Sequence, residues 1–378
     1  MPSGADHATV VGMSNERFDE EILDSNAISP TDEEGNPVPV TIPIALAPGV
    51  TVVYTTRLGG VSRGAFGDCN LGGKSGDDPQ AVLANRVALA KQLGCGLSLI
   101  SQVHSGTAVD VDGSWHLNTP FGFDVSGTRD ETTTDIDGAQ SSASFDRDNA
   151  RVDSNADGNA DGSTDGNTVS NTVVEADGQV TSRTDIALGM FAADCLPVLM
   201  ADPVSGVIGA AHCGRKGLQR GVIGNTINVM ISKGAAPERI VATLGPCICG
   251  DCYEVGDAIA DEFDAQFPGT FTLTRFGGPG IDIAKAAMME LAKAGVPQDN
   301  IVSSASRANA ASQYLYEDEE LIRLCAEDGE GDSMLSERWN QMRRSLCTLE
   351  NPLWYSHRRA TLANKKHEGR MLALIMRH

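Results

Sequence analysis

The chain is short of aromatic residues, which make up 5% of its 378 positions, and short of positive charge, with 29 lysines and arginines against 51 acids. Each shortage excludes something. A net charge of −22 argues against a general nucleic-acid binder or a protein of anionic membrane surfaces. No run approaches the ~18–20 apolar residues of a membrane span, and no basic segment followed by an apolar one opens the chain as a secretory leader would. The expected protein is soluble and cytoplasmic. Seven histidines, with no His-x-His pair, are too few for a laccase-type multicopper cluster, although a single bound copper remains open. Nine cysteines, an odd count without framework spacing, read as buried, metal-bound or catalytic thiols in a reducing compartment.

What is present is 41% hydrophobic residues, enough for a real core. The acidity is local. Residues 1–35 carry a net −8 and residues 113–185 a net −10, which leaves −4 for the rest. Residues 1–40 therefore read as a flexible acidic tail. Residues 113–174, rich in Asp, Ser, Thr, Asn and Gly, read as an insertion expected to stay disordered, because they bury too little apolar surface to offset their ordering entropy. Inside it, Asp153 to Gly158 resembles the opening of a calcium loop, but Thr164 stands where the bidentate Glu belongs.

The folded part mixes strands and helices, the pattern of one α/β or α+β core. Residues 50–56 are β-branched and strand-like. Asp78-Pro79 opens a helix that ends at Gly94. Strands are expected over 98–103, 186–193, 196–200, 207–211 and 240–244, a helix beyond Gly214 and Gly217, and another over 282–294. Residues 305–346 read as a helical surface elaboration.

His104, Cys195 and His212 each end or follow an expected strand. Two imidazoles and a thiolate make a borderline-soft zinc set with a fourth position open, the pattern of a catalytic zinc. Lys216 and Arg220, on the helix start after His212, add positive charge where phosphate could sit. The same cysteine could instead serve a metal-free Cys hydrolase, since a zinc-bound thiolate is a poor free nucleophile. Cys247-Ile-Cys249-Gly-Asp-Cys252 has no partner ligands of matching spacing after it and reads as buried or loop thiols.

A resemblance adds to this. Thr55-Thr56-Arg57-Leu58-Gly59-Gly60, Gln102-Val103-His104, Ala193-Asp194-Cys195-Leu196-Pro197, Ala211-His212, Gly245-Pro246-Cys247-Ile248, Cys252-Tyr253-Glu254-Val255-Gly256, Cys347-Thr348, Ser356-His357-Arg358-Arg359 and Gly369-Arg370 occur in an order that resembles the purine nucleoside phosphorylase/laccase-domain family, often labelled polyphenol oxidase. The resemblance implies an α+β fold, a layered α/β/β/α sandwich with mixed sheets in one domain over 41–378. It implies zinc, with copper as the alternative, on His104, Cys195 and His212. It implies phosphorolysis of adenosine, inosine and methylthioadenosine, together with adenosine deamination, with nucleoside and phosphate as the partners. Asp194 is then a catalytic candidate by adjacency, and Arg57, Lys216 and Arg359 are candidates for phosphate. The family's usual Ala-Gly-Trp-Arg-Gly reads Cys213-Gly214-Arg215-Lys216-Gly217 here, which keeps charge but loses the bidentate guanidinium at the second basic position.

Overall fold

The computed structural model describes residues 37–113 and 174–378. The acidic tail and the insertion, with its calcium-loop-like run, lie outside these residues except at their edges. Along the described chain the strands are β1 (Thr41–Ala47), β2 (Val50–Thr55), β3 (Gly96–Leu99), β4 (Ala108–Asp110), β5 (Gly178–Thr181), β6 (Ile186–Ala192), β7 (Leu196–Asp202), β8 (Val207–Cys213), β9 (Val241–Leu244), β10 (Phe271–Leu273), β11 (Pro279–Ile281), β12 (Ile301–Val302) and β13 (Met371–Arg377). The helices are α1 (Pro79–Leu93), α2 (Arg215–Gln219), α3 (Val222–Ser232), α4 (Asp257–Gln266), α5 (Ile283–Lys293), α6 (Ala305–Tyr314), α7 (Glu319–Glu327), α8 (Leu335–Gln341) and α9 (His357–Leu362).

Two mixed sheets dominate, in the orders β1-β2-β13-β6-β3 and β12-β9-β7-β8-β5-β4. Successive side chains on a strand face opposite ways, and here both faces are apolar. On the first sheet Val52, Tyr54, Leu188, Met190, Ala373 and Ile375 face inward, where Leu199, Ala201, Ile208 and Ala210 of the second sheet meet them. The alternate residues Val53, Leu97, Leu99, Leu372 and Leu374 pack with Leu89 of α1. On the far side Val198, Met200, Val207 and Ala211 pack under Ile223 and Ile227 of α3 and Ala287 and Leu291 of α5. The order helix, sheet, sheet, helix follows from that alternation, and the fold is a single mixed α+β domain.

Local signals explain the element ends. Asp78 caps α1 by accepting from the Gln80 amide, Pro79 occupies its first turn, and Gly94 closes it at φ 69°. Asp282 caps α5 from Lys285 in the same way. The strand expected over 98–103 is shorter and earlier, at β3, and the chain from Ile100 to Thr107 is loop.

Residues 305–346 depart from a surface elaboration. Their helices send Leu321, Leu324, Cys325, Leu335 and Trp339 into the inter-sheet core. Their acids are not simply a solvated face, because Asp328 and Glu330 neutralise buried arginines. Arg57 donates from Nη1 and Nη2 to Asp328 Oδ2, both at 3.1 Å, and Arg338 Nη2 reaches Asp328 Oδ1 at 2.6 Å. Arg359 Nε reaches Glu330 Oε2 at 2.9 Å. Burial works against the Arg57 charge, but Glu330 and Asp328 outweigh it and push its pKa up. Burial likewise pushes Asp328 up, yet Arg338 and Arg57 prevail and hold it at about 2.

Breaking such a pair strands a buried charge, so Asp328→Asn is expected to cost about 3–5 kcal/mol at neutral pH. A depressed carboxylate contributes fully above its unfolded value near ~4, and the contribution fades as pH falls toward about 2. Urea unfolding of wild type and variant should therefore show a full gap at neutral pH and a narrower one once the pH lies between those two values.

Candidate active site

The strand ends bring the sequence-distant trio together. His212 closes β8, Cys195 stands just before β7, and His104 lies in the loop after β3. Cys195 Sγ is 3.7 Å from His104 Nε2, the two imidazoles meet edge to face at 4.9 Å between centroids, and all three ligand atoms lie within 4.8 Å of one another. His212 is buried, Cys195 half-buried and His104 exposed, so the group opens to solvent on one side.

Asp177 holds this arrangement. Its Oδ1 accepts from the His212 ring at Nδ1, 2.8 Å, and from the His104 amide, 3.0 Å. Its Oδ2 accepts from the Val103 and Ser105 amides and from Ser105 Oγ. The bond holds a proton on His212 Nδ1 against Asp177 and turns Nε2 toward the trio. Burial pushes Asp177 up, but the His212 and Ser105 bonds outweigh it and keep it ionised. Burial also pushes Cys195 up, while His212 and His104 prevail and draw it down to about 6. His212 is lowered by burial, but Cys195 and Asp177 outweigh that and raise it to about 9.

The backbone is strained here. His104 has φ 58° and Asp194 φ 95°, conformations that non-glycine residues rarely adopt. Asp194 is braced, with Thr348 Oγ1 donating to its Oδ1 and the Arg358 amide to its Oδ2, both at 2.6 Å. Both of its oxygens are engaged, which suits an orienting residue better than a proton donor. Gly214 presses on the group from the other side. A Cβ there would lie 2.8 Å from Cys195 Sγ and 3.0 Å from His104 Cδ2.

The donor set fits a metal. Tetrahedral zinc with one sulfur and one nitrogen ligand would hold those two atoms at ~3.6 Å, close to the observed 3.7 Å. Two nitrogens and a sulfur also suit copper.

Above the trio lies a cavity of about 560 Å³, lined by Phe191 and Tyr253 and by four basic residues, Lys74, Arg215, Arg358 and Arg370. Arg358 Cζ sits 5.7 Å from the Tyr253 ring centroid, and its Nη2 donates to the Glu254 carbonyl. Lys74 Nζ rests 2.6 Å from Ser101 Oγ. The basic residues expected to hold phosphate do not line this cavity. Arg57 spends its guanidinium on Asp328. Arg359 spends its own on Glu330 and on the carbonyls of Thr348 and Trp354. Lys216 is exposed on α2. Charge type in the sequence pointed to cations that the fold turns away from this cavity, because direction depends on which neighbours carry the counter-charge. Asp177 was missed for a related reason, as it follows closely on the acidic insertion over 113–174 and carries no motif of its own.

The chain matches the family described as multi-copper polyphenol oxidoreductase laccase over residues 51–317 and belongs to it. It is 35% identical over 246 residues to a Streptomyces griseus protein named purine nucleoside phosphorylase ORF3, covering 64% of this chain and 79% of that one. It is 29% identical over 263 residues to adenosine deaminase RL5 of an unknown prokaryotic organism, covering 68% and 83%. The fold is similar to that of the Bacillus licheniformis hypothetical protein YfiH, with TM-score 0.61 and 24% identity over 90% of this chain and 97% of that one.

The close approach at Gly214 gives a direct test. Gly214→Ala is expected to weaken zinc binding at the trio by roughly 10–100-fold, the scale of losing a supporting residue, with the fold kept. Zinc titration against a chromophoric chelator, with circular dichroism as the fold control, checks it.

Proposed function

We propose that this chain is a purine nucleoside phosphorylase with adenosine deaminase activity, holding zinc on His104, Cys195 and His212. The observation that carries the reading is the cavity itself, where the metal-ligating trio, two aromatic rings and four basic side chains converge. A nucleoside offers a flat base for Phe191 and Tyr253 and leaves its sugar toward the cations. Phosphate is then held by Lys74, Arg215, Arg358 and Arg370 beside the anomeric carbon. In phosphorolysis a phosphate oxygen bonds to that carbon as the bond to the purine nitrogen breaks. In deamination water adds at the carbon bearing the amino group and ammonia leaves. When bound, the metal would supply Lewis acidity to such a step. Asp177 fixes the His212 tautomer, Arg220 Nη1 anchors the His104 carbonyl at 2.6 Å, and Asp194 braces the turn that presents Cys195.

Chromatography of adenosine, inosine and methylthioadenosine with metal-replete protein is the test. Free base should appear with phosphate, and inosine should form from adenosine without it. No base release and no inosine in any arm would sink the reading. Arg358→Ala should raise the KM for phosphate about ten-fold or more, the scale of one charge-assisted hydrogen bond, while changing the KM for nucleoside less. Steady-state kinetics varying each substrate in turn separates the two.

One observation favours a second reading. Cys195, His212 and Asp177 also form the chain of nucleophile, base and orienting carboxylate used by cysteine hydrolases. Rapid alkylation of Cys195 in protein as purified, with no metal at the trio, would favour it. Protection of Cys195 by stoichiometric metal would favour the phosphorylase. The same metal analysis separates zinc from copper, and a phenol substrate tests the copper-dependent oxidase.

A further inference from the structure

Two of the three thiols around residue 250 acquire partners that no local spacing announces. Cys347 and Glu350, almost a hundred residues further on, stand against Cys249 and Cys252, and their four ligand atoms lie within 4.8 Å of one another with all four residues buried. We propose that Cys249, Cys252, Cys347 and Glu350 form a second, structural metal site that takes zinc.

The backbone is built for it twice over. The amides of Cys252 and Tyr253 both donate to the Cys249 carbonyl, at 2.9 and 3.0 Å. The amides of Glu350 and Asn351 both donate to the Cys347 carbonyl, at 3.2 and 2.9 Å. Each turn thus offers a ligand at its first and fourth positions, the C-x2-C arrangement that zinc sites use. The two turns are docked by a parallel bridge, in which the Cys247 amide donates to the Leu346 carbonyl and the Thr348 amide to the Cys247 carbonyl, both at 3.0 Å. Tetrahedral zinc holds its sulfurs at ~3.8 Å, inside the 4.8 Å that bounds these ligand atoms.

Glu350 is aimed and supported as a ligand should be. Its Oε2 accepts from the Arg343 and Arg344 amides at 2.9 and 2.8 Å. Its Oε1 faces Cys252 Sγ at 3.4 Å and Arg275 Nη1 at 3.1 Å. Such outer bonds orient a carboxylate toward a metal. Positive charge stands next to the cluster: Arg275 Nη1 pairs with Glu350 Oε1 at 3.1 Å, and Arg344 pairs with Asp251 between the first two cysteines at 2.8 Å. A disulfide between any two of these free thiols would leave the third facing a buried carboxylate. Four protein donors and no opening make the site structural rather than catalytic.

Its place gives it a purpose that does not depend on which reaction the first site performs. Thr348 lies between two of the ligands and holds Asp194, and Tyr253 follows another ligand and lines the cavity. Metal on this cluster would fix the two turns that frame the active site.

Metal analysis of the full chain, purified without chelator, should find two equivalents in wild type and one in Cys195→Ala, in which the cluster is untouched. Cobalt-loaded Cys195→Ala should absorb through thiolate-to-cobalt charge transfer, and adding Cys252→Ser should abolish that band. Cys195→Ala with no bound metal would overturn the site. So would cobalt binding without thiolate absorption, or a Cys249–Cys252 disulfide found by mass spectrometry in anaerobically purified wild type.

Discussion

The carboxylate of Asp177 is the interaction on which the candidate site depends. It sits just before β5, with no solvent exposure, and collects the amides of three consecutive loop residues and one imidazole. Its own carbonyl accepts the His212 amide at 2.7 Å. One residue therefore joins the loop that carries His104 to the strand end that carries His212. Without it the two histidines would belong to independent pieces of backbone, and a precise donor set could not form from a loop.

Electrostatics elsewhere serve the frame rather than the substrate. Arg57, Arg338 and Arg359 are buried with Asp328 and Glu330, where each charge has its counter-charge within a hydrogen bond. Such a network adds little net stability over an apolar core but is costly to break. It joins the end of β2, the segment between α7 and α8, and α9, three stretches far apart in the chain. The cavity cations are a separate population, more solvated than these arginines and held by carbonyls, a serine, the Gln219 side chain and, at Arg370, the carboxylate of Glu368.

Elements with local punctuation were legible in the sequence. The capped helix from Pro79 to Leu93 and the apolar runs that became β6, β7 and β8 needed no knowledge of the rest of the chain. The three residues of the trio could be grouped in the sequence through the order of the motifs around them, and the fold brings their ligand atoms together. What was not legible required partners distant in sequence. Arg57 reads as a free cation until Asp328 is placed beside it. Cys249 and Cys252 read as plain thiols until the turn at Cys347 docks on them. Asp177 reads as one more acid after an acidic segment until its five hydrogen bonds are counted. In each case the residue type was visible and its direction was set by topology.

Two of the three described non-glycine residues with positive φ stand at this site, while the third, Asn364, closes a helix where asparagine is easily tolerated. Each of the two costs of order 1–3 kcal/mol of backbone energy, held in place by Asp177 on one side and by Thr348 and the Arg358 amide on the other. Backbone relief and the geometry of the candidate site are thus opposed at these positions. A selection for heat resistance alone would be drawn to relax this turn and this loop, and the chain it produced would be sturdier with its three donors apart.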